Sequence, residues 1–369
     1  MKILVTGGVG FVGSHLVDEL VKKKHEVVIY DNLESQVHDG VPEYLNKAAE
    51  FLFRDVRDTA GLTEAVNNAD VIFHEAALVG VGQSMYDIKR YLDINVMGTA
   101  NLLEILANKN HSVKKLVVAS SMSIYGEGAY QCDNCGDVHP TLRTNEQLSS
   151  NQWEVSCPKC GKKSVKPIPT NEEKPLQPTS VYAVSKRDQE ELCLSVGKAY
   201  GIPTVALRYF NIYGTRQALS NPYTGVCAIF SSRIKNDRPP IVFEDGYQTR
   251  DFVSVHDIVQ ANLLVMKKSA ADYDVFNVGT GVGVSILKIA HTLSKLYGTS
   301  DSVEVVNKFR AGDIRHCVAD ISKIQMLGYE PSIGFECGMK ELVDWGETQS
   351  ADDKSAKAFQ ELNDKGLVI

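Results

Sequence analysis

Two short segments of the chain carry side chains that can move protons. One is Tyr182-Ala183-Val184-Ser185-Lys186, where the i, i+4 spacing stacks a phenol and an ammonium on one face of a helix. A phenol titrates near pH 10, so acting as a base at neutral pH requires a shift of about three units, roughly 4 kcal/mol. Positive charges close by, such as Lys186 and an oxidised nicotinamide, favour the ionised form. The second segment is Ala119-Ser120-Ser121-Met122-Ser123-Ile124-Tyr125-Gly126, which places serine hydroxyls at the end of an apolar run. A serine there can hold a substrate oxygen while Tyr182 removes or returns its proton and a nicotinamide carbon exchanges hydride. The Lys186 ammonium keeps donors for the nicotinamide ribose.

These groups need a dinucleotide beside them, and the N-terminus predicts one. Thr6-Gly7-Gly8-Val9-Gly10-Phe11-Val12-Gly13 follows the first apolar run, and a helix is expected over 14–23. Gly7, Gly10 and Gly13 permit a tight turn, close approach of backbone to a pyrophosphate and close strand–helix packing, with the helix amides facing the phosphates. Asp31 closes the second strand 21 residues after Gly10, where its carboxylate accepts the ribose hydroxyls and repels a 2′-phosphate, favouring NAD over NADP. Asp55 and Val56, after a third strand, are placed to take the adenine edge.

The elements that position these groups read as alternating strands and helices. Runs at 3–6, 26–30, 71–74, 115–119, 204–209 and 275–278 are apolar and rich in β-branched residues. Continuous apolar strands separated by amphipathic helices indicate a parallel sheet covered on both faces, with ligands at the carboxyl ends of the strands. The fold class is therefore α/β, a doubly wound Rossmann sheet with a smaller mixed substrate-binding region and an inserted ribbon. Residues 1–213 are expected to form the dinucleotide domain, to which the strand and helix of 250–282 return, and 214–249 with 283–369 the substrate region. The last twenty residues or so read as a helix or frayed tail and say nothing about chemistry.

Cys132-Asp133-Asn134-Cys135-Gly136 and Cys157-Pro158-Lys159-Cys160-Gly161 form two CxxCG knuckles. Four thiolates on paired turns suit tetrahedral zinc with every position filled, a structural site; iron and a pair of disulfides are the alternatives. They lie in an inserted element over 130–166, poor in large apolar side chains, whose folding the metal would drive. Cys193, Cys227, Cys317 and Cys337 are isolated and expected to be buried small hydrophobes.

Composition removes other classes. The chain has 369 residues, 46 acidic against 39 basic, and a formal charge of -7, which disfavours nucleic acid and anionic lipid as partners. Apolar stretches fall short of a membrane span, so a cytoplasmic protein is expected.

TGGVGFVG, HEAA at 74–77, DINVMGT at 93–99, SSMSIYG, YAVSK, RYFNIYG at 208–214 and RDFVSVHD at 250–257 together resemble the extended short-chain dehydrogenase/reductase family, specifically its nucleotide-sugar 4-epimerases and their relatives. The resemblance covers residues 1 to 345. It implies Ser121 as the catalytic hydroxyl, with Ser123 as backup, Tyr182 as base and Lys186 as its partner. It implies that Phe11, Val12, Asn32, Ala76 and Ala77 line the cofactor, that Asn95 holds the nicotinamide-side loop, and that Tyr209 lies beside the ring. Asn211, Arg250 and Arg310 would grip the substrate diphosphate, which suits the planar donor fork of arginine. Met122 and Ser123 stand where dehydratases of the family carry an acidic pair, so dehydration is set aside. Val79 replaces a lysine of some galactose-type epimerases, and the Gly-Val-Gly-Gln-Ser loop resembles the dTDP-6-deoxysugar branch. Helices over 87–109 and 180–200 correspond to a dimer contact of the family, which implies a homodimer. Three functions follow: an NAD-retaining 4-epimerase, a 4-keto reductase or 4-dehydrogenase with net redox, and an idle dinucleotide-binding scaffold.

Overall fold

The computed structural model describes residues 1–299, 302–310 and 312–368. Seven parallel strands form the central sheet. They include β1 (Lys2–Thr6), β2 (Glu26–Asp31), β3 (Glu50–Phe53), β4 (Val71–His74) and β5 (Lys115–Ser121), followed by Thr204–Tyr209 and Asp274–Val278. Their spatial order is β3, β2, β1, β4, β5, Thr204–Tyr209, Asp274–Val278, so the order reverses between β1 and β4. In doubly wound sheets that reversal opens a crevice at the strand carboxyl ends. Successive side chains on a strand point to opposite faces. Accordingly Ile3 and Val5 join Leu16, Leu20 and Ile258 in one core, while Leu4 joins Leu62, Leu102 and Leu116 in the other.

The strand at 115 runs on to Ser121, two residues beyond its apolar stretch, which places the serines in the ladder. The first helix, α1, spans Phe11–Lys22 and so begins inside the glycine motif. The helix expected over 87–109 is α-helical at Ile88–Tyr91 and Gly98–Asn108, with a π-helical turn at Leu92–Met97 between them. Such wide turns often mark functional positions, and here the turn carries the buried Asn95. The long helix Val181–Tyr200 starts at Ser180, whose hydroxyl accepts from Ala183 N at 3.1 Å and so fixes Tyr182 in the first turn.

Beyond Tyr209 a second sheet assembles from distant segments. Thr249–Ser254 pairs with Asn211–Tyr213, Gly283–Ser285 and His316–Cys317. Its core, around Phe230, Phe252, Leu293 and Leu342, is separate from the two that cover the main sheet. Between β5 and the long helix, Ala129–Cys132, Gly136–Val138 and Lys166–Ile168 make a three-stranded antiparallel ribbon with a small core of Tyr130, Val138, Val155 and Val165. Cys193, Cys227 and Cys317 are buried as expected, but Cys337 is exposed on the helix Phe335–Glu347. Among the described residues no helix is long and apolar enough to cross a membrane.

Candidate active site

A cleft of about 570 Å³ opens at the carboxyl ends of β1, β4 and β5 and extends toward the second sheet. That volume is within the usual range of small-molecule sites. At its floor Gly7 adopts φ +69°, and a Cβ there would stand 2.7 Å from Ala76 N. A Cβ on Gly13 would meet the Gly7 carbonyl oxygen at 2.2 Å. Strand, turn and helix are therefore in direct backbone contact, and no side chain caps the N-terminus of α1. The resulting cradle of backbone amides fits a pyrophosphate.

Asp31 lies over this turn. Its Oδ2 accepts from Val9 N at 3.0 Å and its Oδ1 from Leu33 N at 2.8 Å, so the carboxylate is oriented toward the cleft by two backbone amides. Asn32 donates to Asp55 Oδ2 at 2.9 Å, and the Arg57 guanidinium forks onto both Asp55 oxygens at 2.8 and 2.7 Å. The Arg57 hydrogen bond leads in holding the Asp55 carboxyl down at about 2. Asp55 is thus committed to Arg57 and Asn32, while Val56 lines the cleft beside it. Phe11, Val12, Ala76 and Ala77 also line it.

At the centre, Ser121 ends β5 and faces Tyr182. The Ser121 hydroxyl accepts from Ser123 Oγ at 2.9 Å and from Ser123 N at 3.2 Å. Burial raises the Tyr182 phenol above its usual value, and the hydrogen bond with Ser121 works against that rise. Lys186 donates to Gln189 Oε1 at 2.9 Å, and burial lowers its ammonium to about 8. In this structure the ammonium is therefore directed along its own helix, and Ser121 is the group that favours the Tyr182 phenolate.

Sequence reasoning missed the groups that hold this centre. Gln189 donates to Thr99 at 2.8 Å; His74 bridges Thr99 at 2.9 Å and Thr6 at 2.8 Å. A continuous polar chain thus joins β1, β4 and the long helix Val181–Tyr200. Asn95, which the resemblance implies to hold the nicotinamide-side loop, accepts from Leu78 N at 2.7 Å and donates to Leu78 O at 3.1 Å and Ser185 Oγ at 3.0 Å, clamping the loop after β4. Glu75 lines the cleft, accepts from the Tyr209 hydroxyl at 2.9 Å, and is pushed up to about 7 by burial. The only sequence signal for Glu75 was an acid inside HEAA, at the end of a wholly apolar strand.

Toward the second sheet, Asn211, Arg250 and Arg310 all line the cleft. Asn211 Oδ1 is buried without a protein partner, as suits a group awaiting a ligand. Arg250 spends donors on the carbonyls of Thr249, Ile314 and Arg315 at 2.8, 2.6 and 3.0 Å. Arg310 pairs with Asp313 at 2.8 Å and stacks 4.9 Å from the Phe243 ring. Val79 is half-exposed on the loop after β4.

Away from the cleft, Cys132, Cys135, Cys157 and Cys160 bring their sulfurs within 4.8 Å of one another. A ZnS₄ tetrahedron with arms of about 2.3 Å has edges of about 3.8 Å. Cys132 and Cys160 are 3.7 Å apart, and all four thiols are free, so the set fits a tetrahedral ion.

Comparison with known proteins agrees with this geometry. The NAD dependent epimerase/dehydratase family matches residues 3–147 and 156–279. The chain is 34% identical over 350 residues to the dTDP-L-rhamnose 4-epimerase of Burkholderia thailandensis, covering 93% of this chain and 94% of that one. It is 31% identical to the solved UDP-glucose 4-epimerase of Thermotoga maritima with UDP-glucose, at a TM-score of 0.76 over 94% of this chain and 99% of the other. The UDP-glucuronic acid 4-epimerase of Bacillus cereus, solved with UDP-glucuronic acid and NAD, is 29% identical with a TM-score of 0.74, covering 94% and 99%. The chain is an enzyme of the NAD dependent epimerase/dehydratase family.

Proposed function

We propose that the protein is an NAD-dependent nucleotide-sugar 4-epimerase. The observation that carries this reading is the meeting, in one cleft, of the glycine cradle with Ser121, Tyr182 and Lys186. Gly7, Gly10, Gly13 and the first amides of α1 hold the pyrophosphate, Asp31 the adenosine ribose, and Lys186 the nicotinamide ribose. The cofactor so held would supply hydride exchange with the sugar C4, the chemistry that lets C4 be remade with the opposite configuration. Ser121 holds the C4 oxygen by a hydrogen bond. Tyr182 takes the proton of that hydroxyl and later gives it back. Burial raises this phenol, and the Ser121 hydrogen bond together with the positive charge that an oxidised cofactor would bring favours its ionised form. Asn95 keeps the ring-side loop closed, and Asn211, Arg250 and Arg310 face the substrate diphosphate.

Incubation with UDP-, dTDP-, GDP- and CDP-sugars, read by NMR with and without added NAD, tests the reading. The expected result is a pair of C4 epimers formed without added NAD. Conversion only with stoichiometric reduced or oxidised cofactor would replace it by net redox.

The four cysteines are assigned to structural zinc. The support is their tetrahedral spacing in a ribbon with only a small core. Elemental analysis of protein purified without chelator should give about one zinc per chain, and a value near zero would end the assignment. Paired CxxC motifs used for metal are usual in a reducing compartment, which supports a cytoplasmic protein. A homodimer is supported by Ile88, Met97, Val184 and Leu192, large apolar side chains exposed on the 88–108 helix and on the long helix.

A further inference from the structure

The C-terminal residues return to the cleft. Helix Ser355–Asp364 and the residues after it lie against its substrate end, where Leu362 and Leu367 form part of the wall. The segment touches both sides of the opening. On the dinucleotide side, a Cβ on Gly82 would stand 3.1 Å from Leu362 Cδ2, and Tyr86 donates to Glu361 at 3.1 Å. On the substrate side, Tyr223 donates to the same Glu361 oxygen and the Phe359 ring lies 6.0 Å from that of Phe243.

Two contacts place the leucines relative to the chemistry. The turn Val81–Ser84, against which Leu362 packs, accepts at Ser84 Oγ from the Tyr182 backbone N at 2.9 Å. One turn of chain therefore separates Leu362 from the backbone that carries the proposed base. Val368 forms a β-bridge with Arg310, which seats Leu367 next to the diphosphate end. The same helix carries Lys357 on its solvent side, so its two faces are differentiated.

We propose that residues 355–368 are the outer wall of the nucleotide-sugar site, with Leu362 and Leu367 in contact with the bound sugar diphosphate. The proposal rests on the function given above. Its physical content is exclusion of water: two apolar side chains close a site in which charged and hydroxyl groups react, and burying them against substrate adds affinity.

The test compares the full chain, a chain ending at Lys354, and the full-length double variant Leu362→Ala/Leu367→Ala. The probes are UDP-glucose, UDP-glucuronate, dTDP-L-rhamnose and, for binding, UDP. Expected is a KM rise of about tenfold or more in both variants, with NAD content unchanged. UDP or a converted sugar nucleotide should slow tryptic cleavage at Lys357 and Lys365 in the full chain. If the truncated chain fails to fold, the double variant decides. A lower thermal stability with unchanged KM, and cleavage that no probe slows, would make the segment a structural strap and overturn the proposal. If no sugar is converted but UDP still protects, the wall stands and the epimerase reading falls.

Discussion

Arg315 is the place to test how the ribbon and the substrate region are joined. Its side chain is 1% exposed and its guanidinium meets three carboxylates: Glu154 at 2.6 Å, Asp245 at 2.6 Å and Glu244 at 3.1 Å. Arg143, from the inserted segment, forks onto Glu244 at 2.8 Å through both terminal nitrogens and reaches the Asp313 carbonyl at 3.1 Å. Arg315→Met keeps much of the volume but removes the guanidinium that Glu154, Asp245 and Glu244 share, leaving Arg143 on Glu244 and His316 beside Glu154. Removing one partner of a buried ion pair costs about 3–5 kcal/mol, an upper bound here because Glu154 and Asp245 are 43% and 29% exposed. With an unfolding entropy of about 2.1 cal/mol/K per residue over 369 residues, that loss lowers Tm by at most about 4–6 °C if unfolding is cooperative. Calorimetry of the wild type, Arg315→Met, Asp245→Asn and the double variant measures it. The double variant should lose less than the sum of the single ones, because removing Asp245 relieves part of the excess negative charge. The same Arg315→Met protein should show a raised KM for nucleotide sugar with NAD content intact, since Arg310 and Ile314 line the cleft in the same stretch. A Tm change below about 1 °C with unaltered KM would mean that water replaces the guanidinium freely and that the network holds nothing in place.

Three further perturbations address the dinucleotide side. Gly13→Ala puts a methyl 2.2 Å from the Gly7 carbonyl and 2.8 Å from Gly8 Cα, so the protein should emerge from gel filtration without NAD; a stoichiometric complement would refute the cradle. Ser121→Ala removes the hydrogen bond that favours the Tyr182 phenolate, so the rising limb of kcat/KM against pH should move upward, and an unmoved limb would remove Ser121 from the proton step. Asp55, held at about 2 against an ordinary 3.8 chiefly by Arg57, has a folded pKa below its unfolded one. Its contribution to stability is therefore complete above pH 3.8 and lost as pH falls toward 2; Asp55→Asn should flatten the urea-midpoint profile over that range, and an unchanged slope would deny the contribution.

What could be read from the sequence was local. The glycine cradle, the Tyr182–Lys186 spacing and the two cysteine knuckles are each encoded within a few residues, and backbone geometry alone turns the spacing into proximity. The partners of those groups were not legible, because they come from far along the chain. Gln189 meets His74 and Thr99 from 115 and 90 residues away, and Glu154 meets Arg315 from 161. A single acid or glutamine in an apolar helix or strand carries no signal of its partner until the topology brings both together. The C-terminal helix failed as a signal for a related reason: its composition is that of any solvated helix, and its place beside the cleft shows only in its contacts with Gly82, Tyr86 and Tyr223 and in the bridge from Val368 to Arg310.

The segment that most needs positioning has little structure of its own. Arg310 and residues 312–316 contain a β-bridge and the start of a two-residue strand, yet they present Arg310, Asp313 and Ile314 to the cleft. Each of their anchors belongs to another part of the chain. Glu127, just past β5, accepts the backbone N of Arg315 at 2.7 Å and of His316 at 2.8 Å. The ribbon region supplies Arg143 to the Asp313 carbonyl, and Trp153 and Leu148 to Phe309. Arg250 takes the Ile314 carbonyl at 2.6 Å, and Val368 bridges Arg310. An irregular loop keeps one conformation only while such distant contacts persist. Disrupting the four-cysteine cluster should therefore be felt first at the substrate diphosphate and last at the dinucleotide, although the cysteines touch neither. The order distinguishes this account from one in which the ribbon merely stabilises the fold: graded removal of the proposed zinc should raise KM for the sugar nucleotide before any NAD is released, and loss of both together would contradict it.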